Sequence, residues 1–484
     1  MSTSSADIHD RSALELRRGI ASGECTASEL TEHFLERIER FDSEIGAFVT
    51  VTAKAARERA ARLDADRSGG AGDLASRPLW GLPFADKDLT ERAGVQTTRG
   101  SKLGLGHIAR EDARIVRDMD ASGGISLGKT NTPEFGFASY TENLIGPPTR
   151  NPWDLSRTPG GSSGGAAAAV AARLLPFAPG SDGGGSIRIP AAACGLVGVK
   201  PTRGLVPGGS GVGDLAGLPV AGTLTRSVAD AALLLDGMIG TGGPEHTLRT
   251  PAPVGGMLAS LENGDAANGP RLRIGISTWS PWQDAVRIEL HDSATTALEE
   301  TAAMLARMGH TVEAAPVPDA WQAYAESFIT AWMGMGAAIP LDGAMLEQLG
   351  PLARWLIQSG RDVSSRQLVS ALSWLSGFES RVVAAYADFD AIITPVLSGP
   401  APAIGSFDDL DPRADFEAQC QMTPFTAYVN VAGLPAIAMP VSVDPVPIGV
   451  QAIGRPGEEV TLLRLAAELE RDIRWDQRSP AGFA

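Results

Sequence analysis

Residues 157–207 read RTPGGSSGGAAAAVAARLLPFAPGSDGGGSIRIPAAACGLVGVKPTRGLVP, and they hold two clusters of glycine. The first cluster, 160–165, encloses two serines, and the second, 183–185, runs directly into Ser186. Glycine loses more backbone entropy on folding than any other residue, so two such clusters require a structural reason. Consecutive bare N–H groups can hold an anion, and a serine at the end of such a run is placed to attack a carbonyl carbon. The alanine-rich flank 166–172 favours a helix, which argues against a flexible linker.

The composition is that of a globular chain and excludes several classes of function. The 484 residues are 43% hydrophobic and 20% charged, with a formal net charge of −16. Scattered acidic charge disfavours a nucleic acid as partner, because phosphate binding needs clustered Lys and Arg. The cysteines Cys25, Cys194 and Cys420 show no metal-ligand spacing and indicate a reducing compartment. Since the sequence has no apolar signal core and no membrane-length apolar stretch, we expect a cytoplasmic protein without metal, cofactor or membrane contact.

Helical and strand patterns alternate along the chain. A capping box, Thr26 to Glu29, lies inside the predicted helical region 10–67. The predicted strands are 79–84, 125–127, 271–276, 311–314, 391–394, 436–439 and 448–453. The other predicted helices are 111–122, 285–308, 319–336, 343–358, 365–387 and 458–471. This alternation predicts an α/β fold with a large mixed, mostly parallel twisted sheet flanked by helices on both faces. Two stretches rich in Gly and Pro, 205–219 and 241–269, are predicted loop insertions.

Two short motifs match known patterns but stand in the wrong context. Residues 123–130 fit the phosphate-binding pattern GxxxxGK[ST], but a predicted helix precedes them and apolar residues lie inside the motif, so nucleotide binding is disfavoured. Residues 160–164 fit GxSxG, the nucleophile elbow of hydrolases that use a serine, an acid and a later histidine. We expect His246, His291 and His310 at the surface in or beside loops. Because no histidine follows the last of these, a Ser-His-Asp triad is disfavoured.

A serine hydrolase without histidine needs another base, and Lys87 is the strongest candidate. It follows the predicted strand 79–84 in the sequence LPFADKDL. A lysine has a pKa of about 10.4 in water and accepts a proton at neutral pH only if burial disfavours its charged form. Period-two alternation would turn Asp86 and Asp88 to the opposite side, where they would not oppose this effect. The alternative interpretation is a solvated lysine at the end of a strand.

Together these motifs resemble the amidase signature family. The resemblance covers most of the chain and is weakest at 205–270 and 280–390. It is carried by GGSSGG at 160–165, SDGGGSIRIPAAACGLVGVKPTRG at 181–204, GLPFADKD at 81–88, GKTNTPEFG at 128–136, ITPV at 393–396 and PIGVQAIGRPGEE at 447–459. It implies a single domain over 1–484. The expected parts are an N-terminal helical segment at 1–67, a signature core at 75–240, a variable helical region forming the substrate pocket at 241–390, and a return to the core sheet at 391–484.

The resemblance implies a Ser–Ser–Lys triad in place of a histidine. Ser186 matches the family's nucleophile, and Lys87 matches its base. Ser162 matches the serine that relays the proton between them, and the bond from Gly161 to this serine is expected to be a cis peptide. We therefore expect Ser186 to form an acyl-enzyme while a neutral lysine amine takes up its proton through a second hydroxyl.

Further residues are assigned supporting roles by the same resemblance. The amides of the glycine run, with that of the nucleophile, match the oxyanion hole at Gly183, Gly184 and Gly185. Ser181 stands where the family usually has threonine, and its hydroxyl is expected to keep that residue's role. Arg188 is expected to pair with a carboxylate such as Asp182. Ser163 is expected to be a hydrogen-bonding neighbour of the site and not a reactant.

The family offers two activities for this chain. Its members include free-standing amidases and the glutaminase subunit of aminoacyl-tRNA amidotransferases. That subunit usually has glutamine after the arginine of the SIR motif, where this chain has Ile189, and 320–380 lacks an obvious polar anchor for glutamine. The expected substrate-pocket residues in this region are Phe328, Trp332, Met333 and Met335. We therefore expect a hydrolase of hydrophobic or aryl amides, with carbamates and esters as further small-molecule substrates and a homodimer as candidate assembly. The glutaminase subunit is the alternative.

Overall fold

The computed structural model describes residues 8–67, 76–207, 217–240, 250–262, 270–443 and 445–483. Its helices are α1 (Ala13–Ser22), α2 (Ala27–Ile45), α3 (Ala53–Arg67), α4 (Arg114–Ala121), α5 (Gly164–Ala171), α6 (Arg188–Cys194), α7 (Val228–Ile239), α8 (Met257–Glu262), α9 (Asp292–Arg307), α10 (Tyr324–Ala337), α11 (Gly343–Leu346), α12 (Pro351–Asp362), α13 (Ser365–Tyr386), α14 (Pro412–Met422), α15 (Ala427–Val431) and α16 (Glu459–Ile473). Its strands are β1 (Phe48–Val51), β2 (Pro83–Lys87), β3 (Ile125–Thr130), β4 (Phe177–Asp182), β5 (Val197–Lys200), β6 (Val220–Thr225), β7 (Arg273–Ile276), β8 (Thr311–Ala314), β9 (Ala391–Pro395), β10 (Ala436–Val443) and β11 (Pro447–Gly454).

The expected loop insertions fall largely outside the described residues, at 208–216, 241–249 and 263–269. In the described part of the second insertion the chain forms α8, so the prediction of a continuous loop is wrong there. In the N-terminal helical region the capping box is confirmed, because the Thr26 side chain accepts from the Glu29 N–H. β1 interrupts this region, which the predicted run of helices did not include.

The larger sheet of the described residues has eight strands in the order β4-β6-β5-β10-β11-β9-β7-β8. This confirms a mixed sheet in an α/β fold. The prediction that its pairing is mostly parallel is wrong. Every neighbouring pair from β4 to β9 is antiparallel, and the parallel pairs are β9 with β7 and β7 with β8. A parallel pair needs a crossover of a dozen or more residues, and the short connection between β10 and β11 leaves room only for a hairpin.

A smaller sheet carries the first candidate residue. It has the order β1-β3-β2, and β2 runs parallel to β3, with Lys87 paired to Thr130. The segment that matches the phosphate-binding pattern is mostly β3 and is preceded by α4. Among the described residues no α-helix begins directly after its lysine, and only a short 3-10 turn follows, at Glu134–Gly136. The wrong context expected for that motif is therefore confirmed.

The described residues form two hydrophobic clusters. The larger cluster contains the large sheet, whose β9 and β11 are buried at every position because helices cover them. The second cluster is aromatic and lies among α10, α12, α13 and α15. Ile189 of the first cluster and Phe328 of the second line one cavity, so the site described below lies between the clusters. In the described ranges no helix is both long enough and apolar enough to cross a membrane.

Candidate active site

Three residues far apart in the sequence are brought to one place by the ends of three elements. Lys87 is the last residue of β2, which begins at Pro83, so the lysine ends the strand and does not follow it as predicted. Ser162 lies two residues before α5. Ser186 lies in the turn between β4 and α6. The peptide bond between Gly161 and Ser162 is cis, as the family resemblance implied.

Lys87 is buried against two serine hydroxyls. Its side chain is 2% exposed, and its Nζ lies 2.8 Å from the Ser162 Oγ. The same Nζ lies 3.0 Å from the Ser181 Oγ and 3.4 Å from the Ser181 carbonyl oxygen. The solvated strand-end interpretation of this lysine is therefore wrong, and Ser181 keeps a hydroxyl at the amine as expected.

Burial lowers the pKa of Lys87 from its usual 10.5 to about 7, and the charge of Asp182 opposes this only in part. The two neighbouring carboxylates point elsewhere. Asp86 accepts from the Arg92 Nε at 2.6 Å, and Asp88 accepts from the Thr98 N–H at 3.0 Å. Neither carboxylate hydrogen-bonds the Lys87 amine, as expected, although Asp88 lies beyond the end of β2. An amine at this site is therefore uncharged in a large fraction of molecules near neutral pH.

Ser186 is half-buried and faces a cavity that Ser162 also lines. Its carbonyl oxygen accepts from the Ser163 N–H at 3.1 Å, which ties the two serine-bearing turns together. The Ser186 hydroxyl makes no hydrogen bond to another described residue. Ser163 Oγ lies 3.3 Å from the Ser181 carbonyl oxygen and 3.4 Å from its N–H, so this serine is a hydrogen-bonding neighbour, as expected.

One amide of the glycine run already has an acceptor within the protein. The Gly185 N–H donates to the Asp182 Oδ1 at 2.7 Å, so it is not free for an oxyanion and its predicted role there is wrong. The amides of Gly183, Gly184 and Ser186 have no acceptor among the described residues. Gly185 has φ +129, and a Cβ at this position would lie 2.4 Å from a threonine hydroxyl, so only glycine fits. The oxyanion donors are therefore expected from three amides.

The carboxylate that holds this turn is paired as predicted. Asp182 and Arg188 are fully buried, and the Arg188 Nε and Nη2 lie 3.0 Å and 2.9 Å from the two carboxylate oxygens. Burial alone would raise the pKa of Asp182, but the guanidinium and further donors hold it well below its usual range. Two further partners of this ion pair were not predicted from the sequence. Asn430 donates to the carboxylate at 2.9 Å, and Gln451 accepts from the arginine at 2.9 Å. Gln451 stands alone as a polar residue in the buried strand β11, which is the sequence signal that could have identified it.

We expect Arg188→Met to lower the free energy of unfolding by about 3–5 kcal/mol, because it leaves a buried carboxylate without its cation. Denaturant unfolding at neutral pH measures this. The comparison variant is Glu32→Gln, which breaks the exposed ion pair with Arg57 and is expected to change stability far less. Equal small changes in the two variants would show that the buried pair does not hold the turn.

The three histidines that the sequence placed at the surface have three different outcomes. His291 is exposed at the start of α9, as expected. His310 is buried, so its predicted surface position is wrong. Its Nδ1 accepts from the Leu272 N–H at 3.1 Å and its Nε2 lies 3.1 Å from the Glu468 carboxylate. Both ring nitrogens are thus engaged in the core, and His246 lies outside the described residues. No three or more His, Cys, Asp or Glu side chains in the described ranges are grouped to hold a metal ion.

Two small cavities flank Ser186. One is about 40 Å³ and is lined by Ser162, Ser181 and Gly183 among others. The other is about 50 Å³ and is lined by Gly184 and Ile189 among others. Of the expected pocket residues, those that line one or both cavities are Phe328, Trp332 and Met335.

Met333 lines neither of these two cavities, in contrast to its predicted place in the pocket. Its backbone carbonyl lies against Gly360 of the neighbouring helix α12. Trp332, one position earlier, faces the site: its ring end lies 3.6 Å from where a Cβ on Gly183 would stand. Successive helical residues point about 100° apart, which explains why one faces the cavities and the other does not.

Comparisons with known proteins agree over nearly the whole chain. Residues 29–463 match the family model for amidases. The chain is 37% identical over 482 residues to AmiB2 of Mycobacterium tuberculosis, covering 98% of this chain and 99% of AmiB2. It is 34% identical over 503 residues to the glutamyl-tRNA(Gln) amidotransferase A subunit of Azotobacter vinelandii, covering 98% and 100% of the two chains. The solved structure of 6-aminohexanoate cyclic dimer hydrolase with its substrate is similar with a TM-score of 0.87 at 31% identity, over 98% of this chain and 100% of that one. The chain belongs to the amidase signature family.

Proposed function

We propose that this protein is a serine hydrolase that cleaves the C–N bond of uncharged, hydrophobic or aryl carboxamides. The observation that carries the proposal is the buried Lys87 amine, 2.8 Å from the Ser162 hydroxyl, with no carboxylate bonded to it among the described residues. An amine held in this way is uncharged in a large fraction of molecules near pH 7 and can act as a general base. Ser186 is the nucleophile.

The reaction follows from the order of the three groups. The Ser186 oxygen forms a bond to the substrate carbonyl carbon while its proton passes to the Ser162 oxygen, whose own proton passes to the Lys87 amine. The amides of Gly183, Gly184 and Ser186 donate to the oxyanion of the tetrahedral intermediate. The protons then return by the same path to the leaving nitrogen, and the C–N bond breaks. Water, deprotonated by the same relay, releases the acid from the acyl-enzyme.

The lack of charged side chains in the linings of the two cavities supports a neutral substrate. Their lining residues include no Asp, Glu, Lys, Arg or His. An ionised group placed there would lose its hydration without gaining a partner, which is costly. Carbamates and esters present the same carbonyl to Ser186 and are proposed as further substrates.

The similarity to the A subunit of an amidotransferase supports glutaminase activity as the second candidate. Free glutamine carries an ammonium and a carboxylate, and both would need charged partners in the pocket. Ile189 and Phe328 line the cavity of about 50 Å³ beside Ser186 instead. We therefore favour the free-standing amidase over the glutaminase subunit.

A serine-directed fluorophosphonate is expected to label the protein once, on the peptide that contains Ser186, because the relay activates that hydroxyl. Intact-mass and peptide mass spectrometry measure the stoichiometry and the position. Prior incubation with a slowly hydrolysed amide or carbamate should protect the site.

The control measures ammonia release from glutamine alone, which is expected to stay at background. Labelling of Ser162 or Ser163 in place of Ser186 would contradict the assigned nucleophile. Glutamine turnover that exceeds anilide turnover would favour the glutaminase role instead.

A further inference from the structure

The peptide group between Gly184 and Gly185 is hydrogen-bonded at both ends. Its N–H, on Gly185, donates to the Asp182 Oδ1 at 2.7 Å. Its carbonyl oxygen, on Gly184, accepts from the Thr426 Oγ1 at 2.7 Å, and no other hydrogen bond reaches that oxygen among the described residues. The carboxylate belongs to the same turn, whereas Thr426 lies 242 positions further along the chain. A distant segment therefore helps to set the orientation of a peptide beside the nucleophile.

The Thr426 hydroxyl is not used to cap the helix that follows it. This residue is fully buried and immediately precedes α15. A threonine at such a position usually accepts a hydrogen bond from an N–H of the first helical turn, but the Thr426 side chain makes no such bond. The Thr423 carbonyl oxygen also lies within reach, at 3.4 Å, so the nearer Gly184 carbonyl is the better acceptor for the single hydroxyl proton. The hydroxyl therefore serves the glycine run and not its own helix.

The start of α15 contacts the same turn at a second point. The Asn430 Nδ2 lies 2.7 Å from the Asp182 carbonyl oxygen. Residues 426 and 430 are four positions apart, so their side chains lie on the same face of the helix. Ala427, the residue after Thr426, lines the cavity of about 50 Å³ beside Ser186. This segment is thus both part of the cavity wall and an anchor of the turn.

The residues on either side of the Gly184–Gly185 peptide do little to restrict its rotation. The group turns about ψ of Gly184 and φ of Gly185, and glycine has no Cβ to limit either angle. The Gly184 N–H is attached to the Cα at one end of the group, and the peptide that carries the Ser186 N–H is attached to the Cα at the other end. Both are among the three amides expected to hold the oxyanion. A rotation of this one peptide would therefore displace two of the oxyanion donors.

We propose that Thr426 is a positioning residue for the oxyanion hole, because its hydroxyl fixes the Gly184–Gly185 peptide and with it the amides of Gly184 and Ser186. This inference rests on the proposed function. Thr426 lines neither cavity beside Ser186, so it acts through the peptide and not on the substrate. Oxyanion donors are effective because they are in place before the charge develops. Loss of this anchor therefore slows the chemical step more than it weakens substrate binding.

The test compares Thr426→Val, which removes the hydroxyl and keeps the branched shape, with Thr426→Ser, which keeps the hydroxyl and removes the methyl group. With a p-nitroanilide substrate, kcat of the valine variant is expected to fall about ten- to a hundredfold while KM stays within about threefold of wild type. The serine variant should keep kcat within about threefold of wild type. A role in packing alone would give the opposite order, because valine preserves the buried volume and serine leaves a void.

Inhibition by 2,2,2-trifluoroacetophenone gives a second readout, which involves no leaving group. The Ser186 oxygen would bond to its ketone carbon while the serine proton passes to the relay, and the ketone oxygen would become an oxyanion held by the same amides. Its inhibition constant should rise in the valine variant by about the factor by which kcat/KM falls. An inhibition constant that stays unchanged while kcat falls would overturn the inference.

Thr301→Val is the matched control. Thr301 is also buried, and its hydroxyl donates to the Ala297 carbonyl at 2.7 Å on α9, a helix that lines neither cavity. This variant loses the same kind of hydrogen bond and should keep the wild-type kcat. Circular dichroism of all variants checks that they fold.

Thr426→Ala removes the hydroxyl without placing a methyl group against the Gly184 carbonyl, and it replaces the valine variant if that variant does not fold. A wild-type kcat in a folded variant without the hydroxyl, or a serine variant as impaired as the valine variant, would contradict the role of Thr426. Absence of Ser186-dependent anilide turnover in the wild-type protein would instead count against the proposed function.

Discussion

Ser186→Ala is expected to lower kcat/KM for a p-nitroanilide by about 10⁴-fold or more, because it removes the oxygen that forms the acyl-enzyme. The relay of Ser162 and Lys87 stays in place in this variant but has no nucleophile to activate. Residual turnover would come from the oxyanion amides and from binding alone. Initial rates of p-nitroaniline release, measured with wild-type protein diluted to matching rates, give the ratio.

Ser163→Ala is the matched control for that variant. Its hydroxyl hydrogen-bonds only to the backbone of Ser181 among the described residues, so its loss should cost far less than that of Ser186. Circular dichroism of both variants checks that they fold. If Ser186→Ala kept activity within about tenfold of wild type, a difference of only ~1.4 kcal/mol in the barrier, another residue would have to be the nucleophile.

Local sequence was enough to indicate candidates for the reacting groups. Two glycine clusters, the lysine after an apolar strand and the absence of a late histidine together indicated a serine hydrolase with an amine base. The order of the motifs then supplied the roles of Lys87, Ser162 and Ser186 through the family resemblance. Local sequence did not show which amides of the glycine run are free to donate to an oxyanion. Gly185 sits in the same run as Gly183, and only the position of the Asp182 carboxylate separates their roles.

Contacts between distant segments were the part that could not be predicted. Asn430 lies 248 positions from the Asp182 carboxylate that it donates to, and a single asparagine in an apolar stretch gives no signal of its partner. The direction of strand pairing in the large sheet was also not predicted correctly from the sequence. The strands β4, β5 and β6 are too short or too rich in glycine and proline to stand out, and without them the alternation of helices and strands suggested parallel pairing. The β10–β11 hairpin was predictable from its short connection.

Lys87→Met is expected to lower kcat/KM by about 10²–10⁴-fold, the usual contribution of general acid–base catalysis, while the protein still folds. Methionine has a similar length and is easily buried, so it fills the space without a group that needs solvation.

The folded-state pKa of Lys87, about 7, lies below its usual 10.5. Between these values the unfolded chain binds a proton that the folded chain does not, so the stability of the wild-type protein rises with pH across this window. The methionine variant should lose the part of that rise that Lys87 contributes, while the buried Lys200, whose pKa is also lowered to about 7, still contributes its own part; thermal unfolding at several pH values measures the difference.

The same pKa fixes the sign of the pH–rate profile. The base must be neutral, so kcat/KM of the wild-type protein should rise through about pH 7 and fall roughly tenfold per unit well below it. A flat profile between about pH 5 and about pH 9, a range in which few other groups titrate, would contradict an amine base.

A second buried lysine, Lys200, provides a test of the assignment of Lys87 as the base. Lys200 is fully buried, donates to the Pro201 carbonyl at 2.9 Å, and also has its pKa lowered to about 7 by burial and by the nearby Arg188. A profile with an apparent pKa near 7 therefore does not by itself identify the base. The hydrogen-bond partners of the two amines distinguish them. The Lys87 amine bonds to the Ser162 hydroxyl, whereas the Lys200 amine donates to a backbone carbonyl and to no serine hydroxyl of the described residues. Lys200→Met should keep both the rate, within about tenfold, and the inflection near pH 7. If the inflection disappeared with Lys200 and persisted in Lys87→Met, the proton path through Ser162 would be wrong.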